Sequence, residues 1–161
     1  MSLSDFESIQ LGDVAKDGAG GVTKEELVAK WGKPISRSNS SFQNVQTELL
    51  TWNKVANADF TATFTVQLAN KRVVQKAIQG LKVRRERQLT LDDYNAIQAG
   101  DTESDVVSRL GKPNGYSENI LNGMVTKELS YTSDIKGQAG ANFAVTVQNG
   151  QVTLKSQVNM E

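Results

Sequence analysis

In a chain of 161 residues, 18 Lys and Arg balance 18 Asp and Glu, and neither histidine nor cysteine occurs. This size allows one compact domain with a real core, and the zero net charge gives no general pull toward nucleic acid or an anionic membrane. Without cysteine there is no disulfide and no thiolate chemistry; without histidine the commonest general base and metal ligand are missing.

Ser4, with Glu7 three residues on, predicts a capping box that opens a short helix. Phe6 and Ile9 share its apolar face, and Gly12 stops it. Asp17 to Gly21 is a flexible, glycine-rich tract. Asp13, Asp17 and Gly18 fall at positions 1, 5 and 6 of a calcium loop. Ala15 and Lys24 stand where such a loop needs oxygen ligands, so a plain loop is expected. Thr23 and Glu26 cap a second helix with Leu27, Val28 and Trp31 as its stripe. Gly32 is expected to supply the left-handed, positive-φ residue after the last turn, and Pro34 forbids continuation.

Strands follow. Ile35 to Phe42 is a weak one, and Thr47 to Val55 alternates with Leu50 and Trp52 on one face. Phe60 to Leu68 has a clean period of two, and Arg72 to Ile78 follows the two-residue turn Asn70-Lys71. Gly80 to Gln88, with Arg84, Arg85 and Arg87, reads as a solvated linker.

The pattern then returns. Trp31-Gly32-Lys33-Pro34 comes back as Leu110-Gly111-Lys112-Pro113, 79 residues later. At that offset Leu50 meets Leu129, Trp52 meets Tyr131, Phe64 meets Phe143, Val73 meets Val152 and Lys76 meets Lys155. Thr102, Asp105, Val106, Val107 and Leu110 match the second helix, and Asn149-Gly150 matches the hairpin turn. Tyr94 and Ile97 match Phe6 and Ile9 at an offset of 88, which places a nine-residue insertion between Gly12 and Val22. Strands are expected at Asn114 to Ile120, Val125 to Thr132, Ala141 to Val147 and Gln151 to Val158. A period held this way reads as one supersecondary unit used twice. The expected fold is α+β: two tandem helix-helix-four-strand repeats, residues 4–79 and 90–159 around a linker at 80–89, forming one antiparallel sheet with helices on one face. The other face is expected to be open to solvent.

The carrying motif is a glycine, a gap, an apolar helix and Gly-x-Pro: Gly12, Val28 and Gly32-Lys33-Pro34, then Gly100, Val107 and Gly111-Lys112-Pro113. It resembles the β-lactamase inhibitory protein family, tandem repeats in a chain of nearly this length. It is also similar to the related small lipoprotein domain of the outer-membrane assembly type, which has one such unit. The resemblance implies a non-enzymatic binding module, secreted or attached to the envelope of a Gram-positive bacterium, or alternatively an inhibitor of a β-lactamase-type enzyme. The inhibitor carries a disulfide in each repeat, and this chain has none. Met1-Ser2-Leu3 reads as an expression scar, compatible with a lost export segment or lipid anchor. No cofactor or metal is implied. The partner is expected to be a protein or peptide.

If Phe60, Phe64, Val66, Phe143 and Val145 face the helices, the open face presents Thr51, Asn53, Thr63, Thr65, Lys76, Thr132, Thr146 and Lys155 as binding residues. That face holds almost no aromatic anchor, so weak to moderate binding is expected. Ser133 and Lys136 match the Ser-x-x-Lys of penicillin-recognising enzymes. They sit in an expected loop without the Lys-Thr-Gly partner, so the match reads as coincidence.

Overall fold

A computed structural model describes all residues, 1–161. The chain opens with helix α1 (Leu3–Ser8), a 3-10 turn (Val14–Lys16) and helix α2 (Lys24–Trp31). Four strands follow: β1 (Ser36–Phe42), β2 (Val45–Trp52), β3 (Ala58–Ala69) and β4 (Arg72–Leu81). Helices α3 (Leu91–Asn95) and α4 (Glu103–Leu110) then precede β5 (Gly115–Leu121), β6 (Met124–Tyr131), β7 (Gly137–Gln148) and β8 (Gln151–Met160). All eight strands form one antiparallel sheet in chain order, so the fold is mixed α+β. No helix is long and apolar enough to cross a membrane.

Local chemistry starts each helix. Thr23, Thr90 and Thr102 accept from the backbone N–H three residues on, and Glu26, Asp93 and Asp105 return the bond. The first helix begins two residues earlier than its sequence suggests, on the Ser2–Asp5 box rather than Ser4–Glu7. Both boxes are available there; the one formed sets Phe6 inward, beneath Phe64 and Tyr116. The hairpins are equally local. Gln43-Asn44, Asn70-Lys71, Asn122-Gly123 and Asn149-Gly150 all have two consecutive positive φ angles, the tight-turn geometry that matches strand twist.

Helix and strand residues of one face join in a single core. Phe6, Leu27, Ile97, Val106 and Leu110 pack on Leu50, Trp52, Phe64, Val66, Leu129, Tyr131, Phe143 and Val145. Tyr116, near the start of β5, is buried in this core, and Phe42, at the end of β1, is half-buried elsewhere. Strands β4 and β5 meet over four register pairs, Gln75 with Asn119 to Ile78 with Tyr116. Beyond them the Asp13 to Gly21 segment takes over. Gly12 N–H donates to the Val73 carbonyl, and the Asp13 carboxylate accepts from Ala15, Asn122 and Gly123 N–H at 2.7–2.9 Å. Burial alone would raise the pKa of Asp13, but these three donors outweigh it and hold it low. The calcium-loop aspartate is therefore a backbone clamp.

Two irregularities on β3 and β4 set the faces. Between Ala58 and Thr63 strand β3 takes five steps while β4 takes two, from Leu81 to Gln79. Between Gln67 and Leu68 it is β4 that carries one extra residue, Val74. The same two shifts recur on β7 and β8, between Gly137 and Asn142 and around Thr153. Each odd excess reverses inside and outside along the strand beyond it.

Candidate functional site

The face opposite the helices is the candidate site. Thr51 lies directly opposite Thr65, Thr65 opposite Ala77, and Thr63 opposite Gln79, so these three threonines form one patch on β2 to β4. All three are half-buried in a shallow polar floor. The floor continues into Thr47, Gln67 and Gln75, each with a buried side-chain oxygen that no protein group satisfies. Asn53 and Thr132 lie just past the ends of β2 and β6 and are exposed. Thr146 sits on the same face, opposite Glu128 and Leu154. It is four strands from β3, or about 19 Å at the usual interstrand spacing. The threonines thus fall into two separate patches.

Lys76 and Lys155 are not on this face. The Val74 and Thr153 bulges bring them to the helix side. Lys76 is 3% exposed, and its Nζ donates to the Phe6 and Ile9 carbonyls at 2.8 and 2.9 Å. Burial lowers its pKa, and the Glu118 carboxylate at 3.9 Å pulls the other way. Lys155 donates to the carbonyls of Tyr94 at 2.9 Å and Ile97 at 2.8 Å. Each ammonium also lies 4.6 Å from the ring at its helix end, Phe6 or Tyr94. Both lysines close a short helix and are unavailable to a partner on the sheet.

Phe60 moves the other way. Strict alternation puts it in the core with Phe64, but the excess residues between Ala58 and Thr63 project it into solvent at 98% exposure. It stands three residues from Thr63 on the same strand. Met124, Leu154 and Val158 are exposed as well, and the register places them on the open face of the second half. One end of the open face is covered. Val14, Ala69 and Val74 are buried there with Phe42, Val45 and Leu121 around them, because the Asp13 to Gly21 segment crosses between β4 and β5.

Two of the three linker arginines, Arg85 and Arg87, are engaged, while Arg84 is solvated as expected. Arg87 holds Asp93 through two bonds of 2.6 and 2.7 Å, which together with the Thr90 cap outweigh the raising effect of burial and leave the Asp93 pKa at about 2. Arg85 donates to the Lys112 carbonyl and to Asn114 Oδ1. Asn114 in turn donates to the Ser133 hydroxyl. That bond and a loop setting give Ser133 a structural role in place of the Ser-x-x-Lys chemistry.

A crystal structure from Streptococcus mutans, named "putative beta-lactamase inhibitor protein", superposes with a TM-score of 0.70, covering 99% of this chain and 96% of that one at 22% identity. At that identity the likeness shows the fold alone. No curated protein matches the chain. The family model described as a domain of unknown function with solved structure, DUF3862, matches residues 2–160. A match over nearly the whole length makes the chain a member of that family.

Proposed function

We propose that this chain is a non-enzymatic binding module, secreted or attached to the bacterial cell envelope, that holds a protein or peptide on its open sheet face. The observation that carries this reading is Phe60. An ordered strand residue at 98% exposure keeps its whole ring in water, at a cost of roughly 2 kcal/mol relative to burial that a partner would recover. Phe60 stands on β3 three residues before Thr63, and Thr63, Thr65 and Thr51 form a polar floor on the same and the neighbouring strand, so a partner that takes the ring has an adaptable polar surface within reach. The position equivalent to Phe60 in the second half is Ala139, so the partner engages the first half more strongly.

We also read the chain as a tandem duplication. The matched bulges support it, as do two ion pairs, Lys24–Glu48 and Lys127–Glu103, at positions 79 residues apart with the charges exchanged. An exchange that keeps the pair but swaps its ends is expected when one geometry is inherited twice.

The test is a pull-down from envelope extract with the wild-type chain as bait. Phe60→Ala should fold normally, because the ring touches nothing in the core, and should lose the partner. In the otherwise wild-type chain, Thr63→Lys with Thr146→Lys should weaken capture. Full retention by both variants overturns the reading. A narrower reading, inhibition of a β-lactamase-type enzyme, is favoured by the name of the Streptococcus mutans structure. Undiminished hydrolysis by a class A enzyme at saturating amounts of this chain removes it.

A further inference from the structure

A groove of about 630 Å³ runs between the Lys82 to Gln88 connection and the C-terminal turn of α4. Its volume lies in the range of ligand-holding clefts, roughly 300–1,000 Å³. Six of the 18 cationic side chains of the molecule line it, against one carboxylate, Glu86. Arg87 and Arg109 are neutralised by Asp93 and Asp101. Lys82, Arg84 and Lys112 belong to no ion pair. Arg85 is half-buried over the Tyr131 ring, bonded only to neutral oxygens, and its Nε is buried with no partner. Burial lowers its pKa, outweighing the raising pull of Tyr131 and of the Asp134 carboxylate, which forms no direct ion pair with it.

Basic side chains beside a helix C-terminus also offset its dipole. That accounts for Arg85, which bonds the Lys112 carbonyl, and for Arg109, which bonds the Asp105 carbonyl. It does not account for Lys82, Arg84 and Lys112. The backbone is unusual in the same place. From Val83 to Gln88 no main-chain N–H donates within the protein, so a run of free donors lies beside the free cations.

We propose that this groove is a second binding site, one that takes an extended acidic peptide of a partner protein. Carboxylate side chains pair with Lys82, Arg84, Arg85 and Lys112, and the peptide's carbonyls accept from alternate N–H groups of the Val83 to Gln88 run in the manner of an added strand. A nucleic acid fits less well, because no aromatic side chain lines the groove for a base to stack on. The site shares no residue with the Phe60 surface, so either can fail without the other.

The probe is a fluorescein-labelled hexaglutamate peptide, with hexaglutamine as control, followed by anisotropy. Saturable binding of hexaglutamate alone is expected, weakening as salt rises through about 0.1 M. In a 1H–15N spectrum the amide signals of Val83 to Gln88 should shift. Arg84→Glu with Lys112→Glu, both exposed and neutral to folding, should weaken binding by about tenfold or more. Lys16→Glu with Lys54→Glu makes the same change in net charge elsewhere and should leave binding unchanged. The proposal is overturned if hexaglutamate does not bind, if both double variants weaken it equally, or if the shifted amides lie elsewhere. Tighter binding of a single-stranded oligonucleotide in the same groove overturns the ligand class.

Discussion

At the scale of single residues, Gly32 and Gly111 show how a stop signal becomes a structural joint. Their angles are φ 75°, ψ −172° and φ 77°, ψ −178°. This is not the left-handed helical region but a corner of the map that is nearly closed to any Cβ. The position also aims a carbonyl. Trp52 Nε1 donates to Gly32 O at 3.1 Å, and Tyr131 Oη donates to Gly111 O at 3.0 Å. Each helix end is thereby tied to the strand beneath it. Gly111→Ala is expected to cost about 2 kcal/mol, more than the roughly 1 kcal/mol that an ordinary left-handed cap would suggest. Denaturant melts measure this, and an unmoved midpoint counts against the account. The glycine and its positive φ are legible in the sequence from Gly-Lys-Pro. Its ψ and its aromatic donor are not, because they depend on where the sheet lies.

At the scale of elements, α1 and α3 are six and five residues long. Helices this short do not persist alone in water. A capping box satisfies the first turn of each, and a lysine from the sheet satisfies the last. Lys76→Met keeps the apolar stem but strands the Ile9 carbonyl in the core and leaves the Phe6 carbonyl only the Ile9 N–H. We expect a loss of about 2–3 kcal/mol. Lys155→Met should cost less, because part of its helix end is open to water that can replace the ammonium. No loss from Lys76→Met in chemical denaturation would show that the clamp is not the lysine. The burial of Lys76 is illegible in a strand pattern read by alternation alone, since one bulged residue at Val74 is enough to reverse it.

At the scale of the molecule, the Phe6 ring sits between Phe64 at 6.3 Å and Tyr116 at 5.9 Å, one from each half of the sheet. The β4–β5 ladder and the Leu81 N–H, which donates to the Asn114 carbonyl, complete the seam. A core continuous across that seam should unfold as one unit. Trp31 and Trp52 both lie in the first half and report it by fluorescence; NMR methyl signals of Val145 and Val152 report the second. Their midpoints in denaturant should coincide, and two separate midpoints would mean independent halves. The sequence by itself determined the caps of α2 and α4, the Asn70-Lys71 and Asn149-Gly150 turns and the spacing that relates the two halves, because each depends on contacts within a few residues or on an offset that can be counted. Only the tertiary structure decided that Phe60 points outward, that Lys76 and Lys155 point inward, that Val14 crosses to the open face and that free cations converge beside α4. Those outcomes depend on the register between strands and on which segments meet across the sheet, and a one-residue bulge changes them without altering any local signal.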